Sequence, residues 1–160
     1  MRYQDDGPIG YYFEEIEVGQ TMITRGRTIT EADVVQFAAL TGDFNPMHTD
    51  AEYTKTHPAG QRVAHGMLTL SYAVGLLYQL GFMERTVLTF RGVEMKFSLP
   101  VFIGDTIRVR LTVKEKKEMK RLGGGIVSAE VKILNQEGKT VQSGMMELLM
   151  ASKPADTPAP

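Results

Sequence analysis

The sequence predicts one α+β domain in which an antiparallel β-sheet wraps around a single long buried helix. Three observations carry that expectation. Residues 67–80 are the most apolar stretch of the chain, and residues 65–81 read as a helix that is apolar nearly all round, the pattern of a buried element. Four strand-like segments follow in succession, joined by short turns, as in an antiparallel meander. The 160 residues are 42% hydrophobic and 23% charged, which suits one folded domain and not a fibrous or disordered chain.

Taken in order, residues 1–10 are polar, carry Asp5 and Asp6, and have no apolar run. A flexible N-terminus without a signal peptide is expected there. The ordered domain is expected over residues 11–151. Residues 20–29 are Thr-rich and partly alternating, so they read as a first strand. Thr30 and Asp33 resemble a capping box, and Val34, Phe37, Ala38 and Thr41 share one face of a helix over residues 31–41. Gly42 suits the position that ends it. Residues 43–64 show little periodicity and hold Pro46, Pro58, Gly60, His48 and His57. A connection this long inside a domain points to function.

The apolar core of the next helix, residues 67–80, is 14 residues long and holds Thr69, Ser71, Tyr72, Tyr78 and Gln79. It is too short and too polar to span a bilayer. Residues 87–97 read as a strand, and Leu99-Pro100 with Gly104-Asp105 marks a bend and a turn. Residues 106–115 alternate, with Ile107, Val109, Leu111 and Val113 on one face and Arg108, Arg110, Thr112 and Lys114 on the other. Gly123 to Gly125 read as a hairpin connection, since no Gly-Lys-Ser/Thr follows to make a phosphate loop. Residues 126–134 and 140–150 form a last pair around the turn at 135–138. The final nine residues, 152–160, hold three of the seven prolines and no large apolar side chain, so a disordered tail is expected.

Eighteen basic and 19 acidic residues leave a net charge of −1, without the broad basic surface that captures nucleic acid. With no cysteine, disulfides, Cys-bound zinc, iron–sulfur clusters and a thiol nucleophile are excluded, and a cytoplasmic location is expected.

The side chains able to move protons cluster after the first helix. Asp43 and His48 are separated by Asn45-Pro46, and a turn there can point both into one pocket. A carboxylate and an imidazole are the usual pair for polarising one water. The same Gly42-Asp43-x-Asn45-Pro46 run also fits an Asx-turn without chemistry. His65-Gly66 stands where the buried helix begins. Unpaired N–H groups at a helix start, with a glycine for close approach, suit a carbonyl oxygen that becomes an enolate. His65 fits a packing role equally well, and His57 reads as a surface loop residue. Asp43, His48, Asp50, His57 and His65 fall within 23 residues. Their spacing matches no H-E-x-x-H pattern, and a calcium loop starting at Asp43 would have His48 at position six and Thr54 at position twelve. No metal is expected. Nor is there a Gly-x-Ser-x-Gly elbow.

The run Asp43-Phe44-Asn45-Pro46-Met47-His48 resembles the signature of the MaoC-like dehydratases, the (R)-specific enoyl-CoA hydratases, matching Asp-x-Asn-Pro-x-His at every specified position. Val63-Ala64-His65-Gly66-Met67-Leu68 resembles the family's second block, and Lys96-Phe97-x-x-Pro100-Val101-x-x-Gly104-Asp105 a third. The resemblance covers about residues 13–149. It implies a hot-dog domain and reversible hydration of a trans-2-enoyl-CoA to a (3R)-hydroxyacyl-CoA. By that resemblance Asp43 and His48 share the catalytic water, the Gly66 N–H donates to the thioester carbonyl, and Asn45 fixes the turn. Ser71 matches a family position near the reacting centre, though its hydroxyl can equally bond back to its own helix. Arg62 and Lys96 are the favoured contacts to the CoA phosphates among Arg91, Lys116, Lys117 and Lys120. Tyr53 and Met67 are candidates to line the acyl tunnel. The long loop corresponds to the family's segment over that tunnel. No cofactor is implied, because CoA is part of the substrate, and the expected partner is a second copy joined sheet to sheet.

Two other classes remain. A hot-dog acyl-CoA thioesterase usually carries its carboxylate on the central helix, and here no Asp or Glu lies in residues 65–80. A non-catalytic acyl-CoA-binding module would not need both Asp43 and His48.

Overall fold

In the computed structural model, residues 10–154 are described. Two short strands, β1 (Thr21–Ile23) and β2 (Arg27–Thr28), precede helix α1 (Glu31–Thr41). Two single-turn helices follow, α2 (Pro46–Thr49) and α3 (Ala51–Thr54), and then the central helix α4 (Gly66–Tyr78). The rest is β3 (Val87–Phe97), β4 (Thr106–Met119), β5 (Gly124–Leu134) and β6 (Thr140–Ala151). The strands pair antiparallel in the order β1-β4-β5-β6-β3, with β2 also on β4.

Helix α1 is set by its caps. The Thr30 hydroxyl accepts the Asp33 N–H at 3.3 Å, the Asp33 carboxylate accepts the Thr30 N–H at 2.8 Å, and Gly42 ends the helix at φ 79°. Asp33 is buried and also accepts from the Tyr72 hydroxyl at 2.6 Å and from Arg27 at 3.2 Å, which ties α1, α4 and β2 together. Burial opposes its ionisation, but the bonds from Tyr72 and Thr30 and the Arg27 charge hold its carboxyl below the usual value. The Tyr72 hydroxyl is raised, by burial and by that same bond to Asp33.

The sheet's inner face follows the expected alternation. Ile107, Val109, Leu111 and Val113 of β4 join Val127, Ala129, Val131 and Ile133 of β5 in the core. Leu68, Leu70, Ala73, Leu76 and Leu77 of α4 pack there too. Each large aliphatic buried in this way stabilises the fold by about 1.5–3 kcal/mol.

Four local expectations change. The single strand over residues 20–29 is broken at Thr24, whose N–H donates to Val109 O at 2.9 Å while its hydroxyl, and not its carbonyl, accepts the Val109 N–H at 2.9 Å. The four late strands are not one meander, since β3 lies beside β6 and not β4. Residues 98–105 carry the chain across the start of α4, where the Ala64 N–H bonds Val101 O at 2.8 Å and Val63 bridges Phe102. The α4 helix is shorter than expected and not buried all round: Met67, Ser71, Gly75 and Tyr78 form an exposed stripe at helical spacing. Only Gly123 (φ 70°) turns the β4–β5 hairpin; Gly124 and Gly125 belong to β5, where a Cβ on Gly125 would come 2.3 Å from the Phe13 ring.

At the ends, the Gly10 N–H bonds Glu84 O at 2.7 Å and the Ser152 N–H bonds Gly123 O at 2.9 Å. The rest of the expected flexible N-terminus and most of the expected tail, residues 1–9 and 155–160, lie outside the described residues. Among the described residues, no helix is long and apolar enough to cross a membrane.

Candidate active site

The end of α1 and the start of α4 meet at the expected cluster. Gly42 turns the chain out of α1, and Asp43 follows at once. The Asp43 Oδ1 accepts the Asn45 N–H at 3.2 Å, and the Asn45 Oδ1 accepts the Met47 N–H at 3.2 Å. Asn45 is thus the N-cap of α2, and Pro46 takes the first helical position, where its missing N–H costs nothing. This one turn places His48 back beside Asp43. The His48 Nε2 and the Asp43 Oδ2 are 3.9 Å apart, with the carboxylate side chain 52% exposed and the imidazole 9%.

Both histidine rings are fixed by carbonyls. The His48 Nδ1 is 2.7 Å from Val63 O, and an oxygen of that kind only accepts, so Nδ1 carries the proton and donates it. That leaves Nε2, in the neutral ring, with a lone pair beside Asp43. The His65 Nε2 likewise donates to Asp43 O at 2.9 Å. The two rings stack with centroids 3.8 Å apart, and the Phe37 ring lies 5.0 Å from His65. His65 therefore packs the site and holds the Asp43 backbone, while its buried Nδ1 has no hydrogen-bond partner among the described residues.

Gly66 is the first residue of α4, so its N–H belongs to the turn that has no helical acceptor. A Cβ there would stand 2.8 Å from the Phe97 ring, so glycine lets that ring pack against the start of the helix. Gly66 and His48 both line a cavity of about 660 Å³. Its other walls include Met47, His57, Pro58, Val63 and Ala64 of the long connection, Phe97 at the end of β3, Ser98 to Val101 beyond it, and Thr69 and Gln142.

Asp43, His48, Asn45, His65 and Gly66 therefore come together, and the remaining expected residues stand apart. The Ser71 hydroxyl bonds back to Met67 O at 2.8 Å, within its own helix. Met67 and Tyr53 are exposed and not among the cavity walls. Arg62 is held 2.7 and 2.5 Å from the Glu31 carboxylate, which draws it away from a free phosphate-binding role. That contact lowers the Glu31 carboxyl and raises the Arg62 guanidinium. Lys96 lies in a separate depression with Glu94 and Glu130.

Three features escaped sequence reading. His57 is a wall of the cavity, not only a surface residue. The walls from Phe97 to Val101 arrive through the crossing after β3. Gln142 left a signal: inward positions of β6 read Gln142, Gly144, Met146, Leu148 and Met150, and one amide interrupts that apolar row. Asp43, His48 and His65 each offer a possible metal-ligand atom within 4.8 Å of one another, although each ring already commits one nitrogen to a backbone carbonyl.

An antiparallel sheet curled around one helix, with a carboxylate–imidazole pair at the helix start, defines a hot-dog protein. Residues 14–133 match the family described as MaoC like domain, and the chain belongs to the MaoC-like dehydratase family. Protein MaoC of Klebsiella aerogenes is 44% identical over 110 residues, covering 68% of this chain and 32% of that protein's length. The chain thus spans about a third of that relative. The (R)-specific enoyl-CoA hydratase of Aeromonas caviae is 33% identical over 131 residues, 82% of this chain and 92% of the relative. A solved monoamine oxidase regulatory protein from Archaeoglobus fulgius superposes with a TM-score of 0.84 at 37% identity, covering 91% of this chain and 97% of its own.

Proposed function

We propose that the protein is a hydro-lyase that adds water reversibly to trans-2-enoyl-CoA, giving (3R)-3-hydroxyacyl-CoA. The observation that carries this reading is the Asp43–His48 pair, 3.9 Å apart beside the Gly66 N–H. Two acceptors at that separation suit one water about 2.8 Å from each, subtending an angle of about 90°. The water's hydroxyl bonds to C3, and its remaining proton leaves to the pair. A proton returns to C2 from the same face, so the addition is syn. The pair takes one proton from the water and returns one to C2, so it ends each cycle as it began. The Gly66 N–H holds the thioester oxygen as it gains enolate charge. The chemistry asks nothing of a metal, since the carbonyl is polarised by the helix N-terminus and the water by the pair.

The partner in this reading is a second copy of the chain. Among the described residues, β3 has a neighbour only on its β6 side, and it exposes Leu88, Phe90, Val93 and Phe97. The bare stripe of Met67, Ser71, Gly75 and Tyr78 on α4 offers a second contact surface. Joining β3 edges would bury these apolar residues of β3.

The reading is tested by mixing purified protein with crotonyl-CoA and following the loss of enoyl-thioester absorbance, with chiral analysis of the product. Formation of 3R product supports it; release of free thiol without hydration overturns it.

A further inference from the structure

Residues 51–61, α3 and the connection after it, form an arm with few ties to the rest of the fold. Among the described residues, every hydrogen bond of this arm closes within residues 50–61. Asp50 caps α3, the His57 N–H bonds Thr54 O at 3.2 Å, the Ala59 N–H bonds the His57 Nδ1 at 3.2 Å, and the Gly60 N–H bonds His57 O at 2.8 Å. None of residues 51–61 belongs to the hydrophobic core. Yet His57, Pro58 and Ala59 are walls of the cavity that His48 and Gly66 line. A segment with so few outside contacts opens locally more easily than the sheet, so its position as a wall depends on its anchors.

The anchors stand at its two ends. At the first, Thr54 is 1% exposed and the Asp50 N–H bonds Pro46 O at 2.9 Å. At the second, the Arg62 guanidinium forks onto both Glu31 oxygens, at 2.7 and 2.5 Å, and Glu31 is the first residue of α1. A forked Arg–carboxylate pair fixes direction as well as distance. Just past Arg62 the chain is fixed, because the Val63 N–H bonds Met47 O at 3.1 Å and Val63 bridges Phe102. We propose that Arg62 is a positioning residue whose fork on Glu31 holds residues 55–61 against the cavity, as the wall that covers a bound acyl chain. The proposal rests on the reading that the cavity holds the acyl part of a CoA thioester. It makes Glu31 a partner in binding. Were Arg62 a phosphate contact instead, Glu31 would be its competitor, and removing the Glu31 charge would free the guanidinium.

The test is hydrogen exchange of the intact chain read by mass spectrometry, for wild type, Glu31→Gln, Arg62→Met and the double variant. Each single variant should speed exchange of residues 55–61 by about threefold, the scale of one exposed forked pair, while β4, β5 and β6 exchange as in wild type. The double variant should go no further than the singles, because both remove the same bond. In wild type, octanoyl-CoA should slow exchange of residues 55–61 more than CoA without an acyl chain does. Unchanged exchange in Glu31→Gln, a double variant that multiplies the single effects, or acceleration spread over the sheet would overturn the proposal. So would octanoyl-CoA that protects the arm no better than CoA. Should one single variant fail to fold, the other single variant and the wild-type ligand comparison decide. Crotonyl-CoA hydration is measured in parallel: its absence alongside acyl-dependent protection would sink the assigned reaction and leave the role of Arg62 standing.

Discussion

Replacing Asp43 with Asn separates catalysis from folding more cleanly than any other change at the site. The amide is isosteric, and its oxygen can still accept the Asn45 N–H that shapes the turn. What changes is the group facing the His48 Nε2 at 3.9 Å: a water can no longer be held between two acceptors, and a carboxyl able to take or give a proton is gone. Loss of an acid–base group lowers turnover by about 10²-fold or more, which is about 2.7 kcal/mol of barrier. The stability effect is far smaller. The side chain is 52% exposed and its contact with His48 is loose, so the folding change stays below about 0.5 kcal/mol. His48 is a poorer probe, since its ring is buried, stacked and bonded to Val63 O, and truncation would disturb packing as well. The assay is crotonyl-CoA hydration by Asp43→Asn, with thermal unfolding of the same sample. A folded variant with turnover within a few-fold of wild type would refute the mechanism.

Other outcomes follow from the same geometry. Asp33 has a lowered folded-state value, so its contribution to stability is complete above the ordinary carboxylate range near about 4 and fades as pH falls through the lower value. Acid unfolding of Asp33→Asn should therefore be flatter there than that of wild type, and equal slopes would contradict the assigned bonds to Tyr72 and Thr30. Dialysis against a strong chelator should leave crotonyl-CoA hydration unchanged; activity lost and then restored by a divalent ion would mean that Asp43, His48 and His65 work through a metal. Val93→Asp places a charge on the exposed β3 edge and should convert a dimer to monomer in light scattering, whereas an unchanged mass would move the interface elsewhere.

Local signals were legible in the sequence. The caps Thr30, Asp33 and Gly42 act within one helix, and the alternation of β4 reports its own two faces. Asp43, Asn45 and His48 could be read as one group because five residues and one turn bring them together. Contacts made across the fold left no such trace. Glu31 lies 31 residues before the Arg62 it binds, so nothing near Arg62 announced that its charge was already engaged. Helices α2 and α3 have four residues each, too few for a periodic pattern, and only the caps Asn45 and Asp50 betray them. The placement of β3 beside β6 depends on where residues 98–105 cross α4, which is a matter of packing. The exposed stripe on α4 stayed hidden because Met67 and Tyr78 are themselves apolar.

The most direct test of the account is the stereochemistry of water addition to crotonyl-CoA by the purified protein. The Asp43–His48 pair acting on one face beside the Gly66 N–H predicts (3R)-3-hydroxybutyryl-CoA with no release of free CoA. A 3S product, or thiol release in place of hydration, would contradict it.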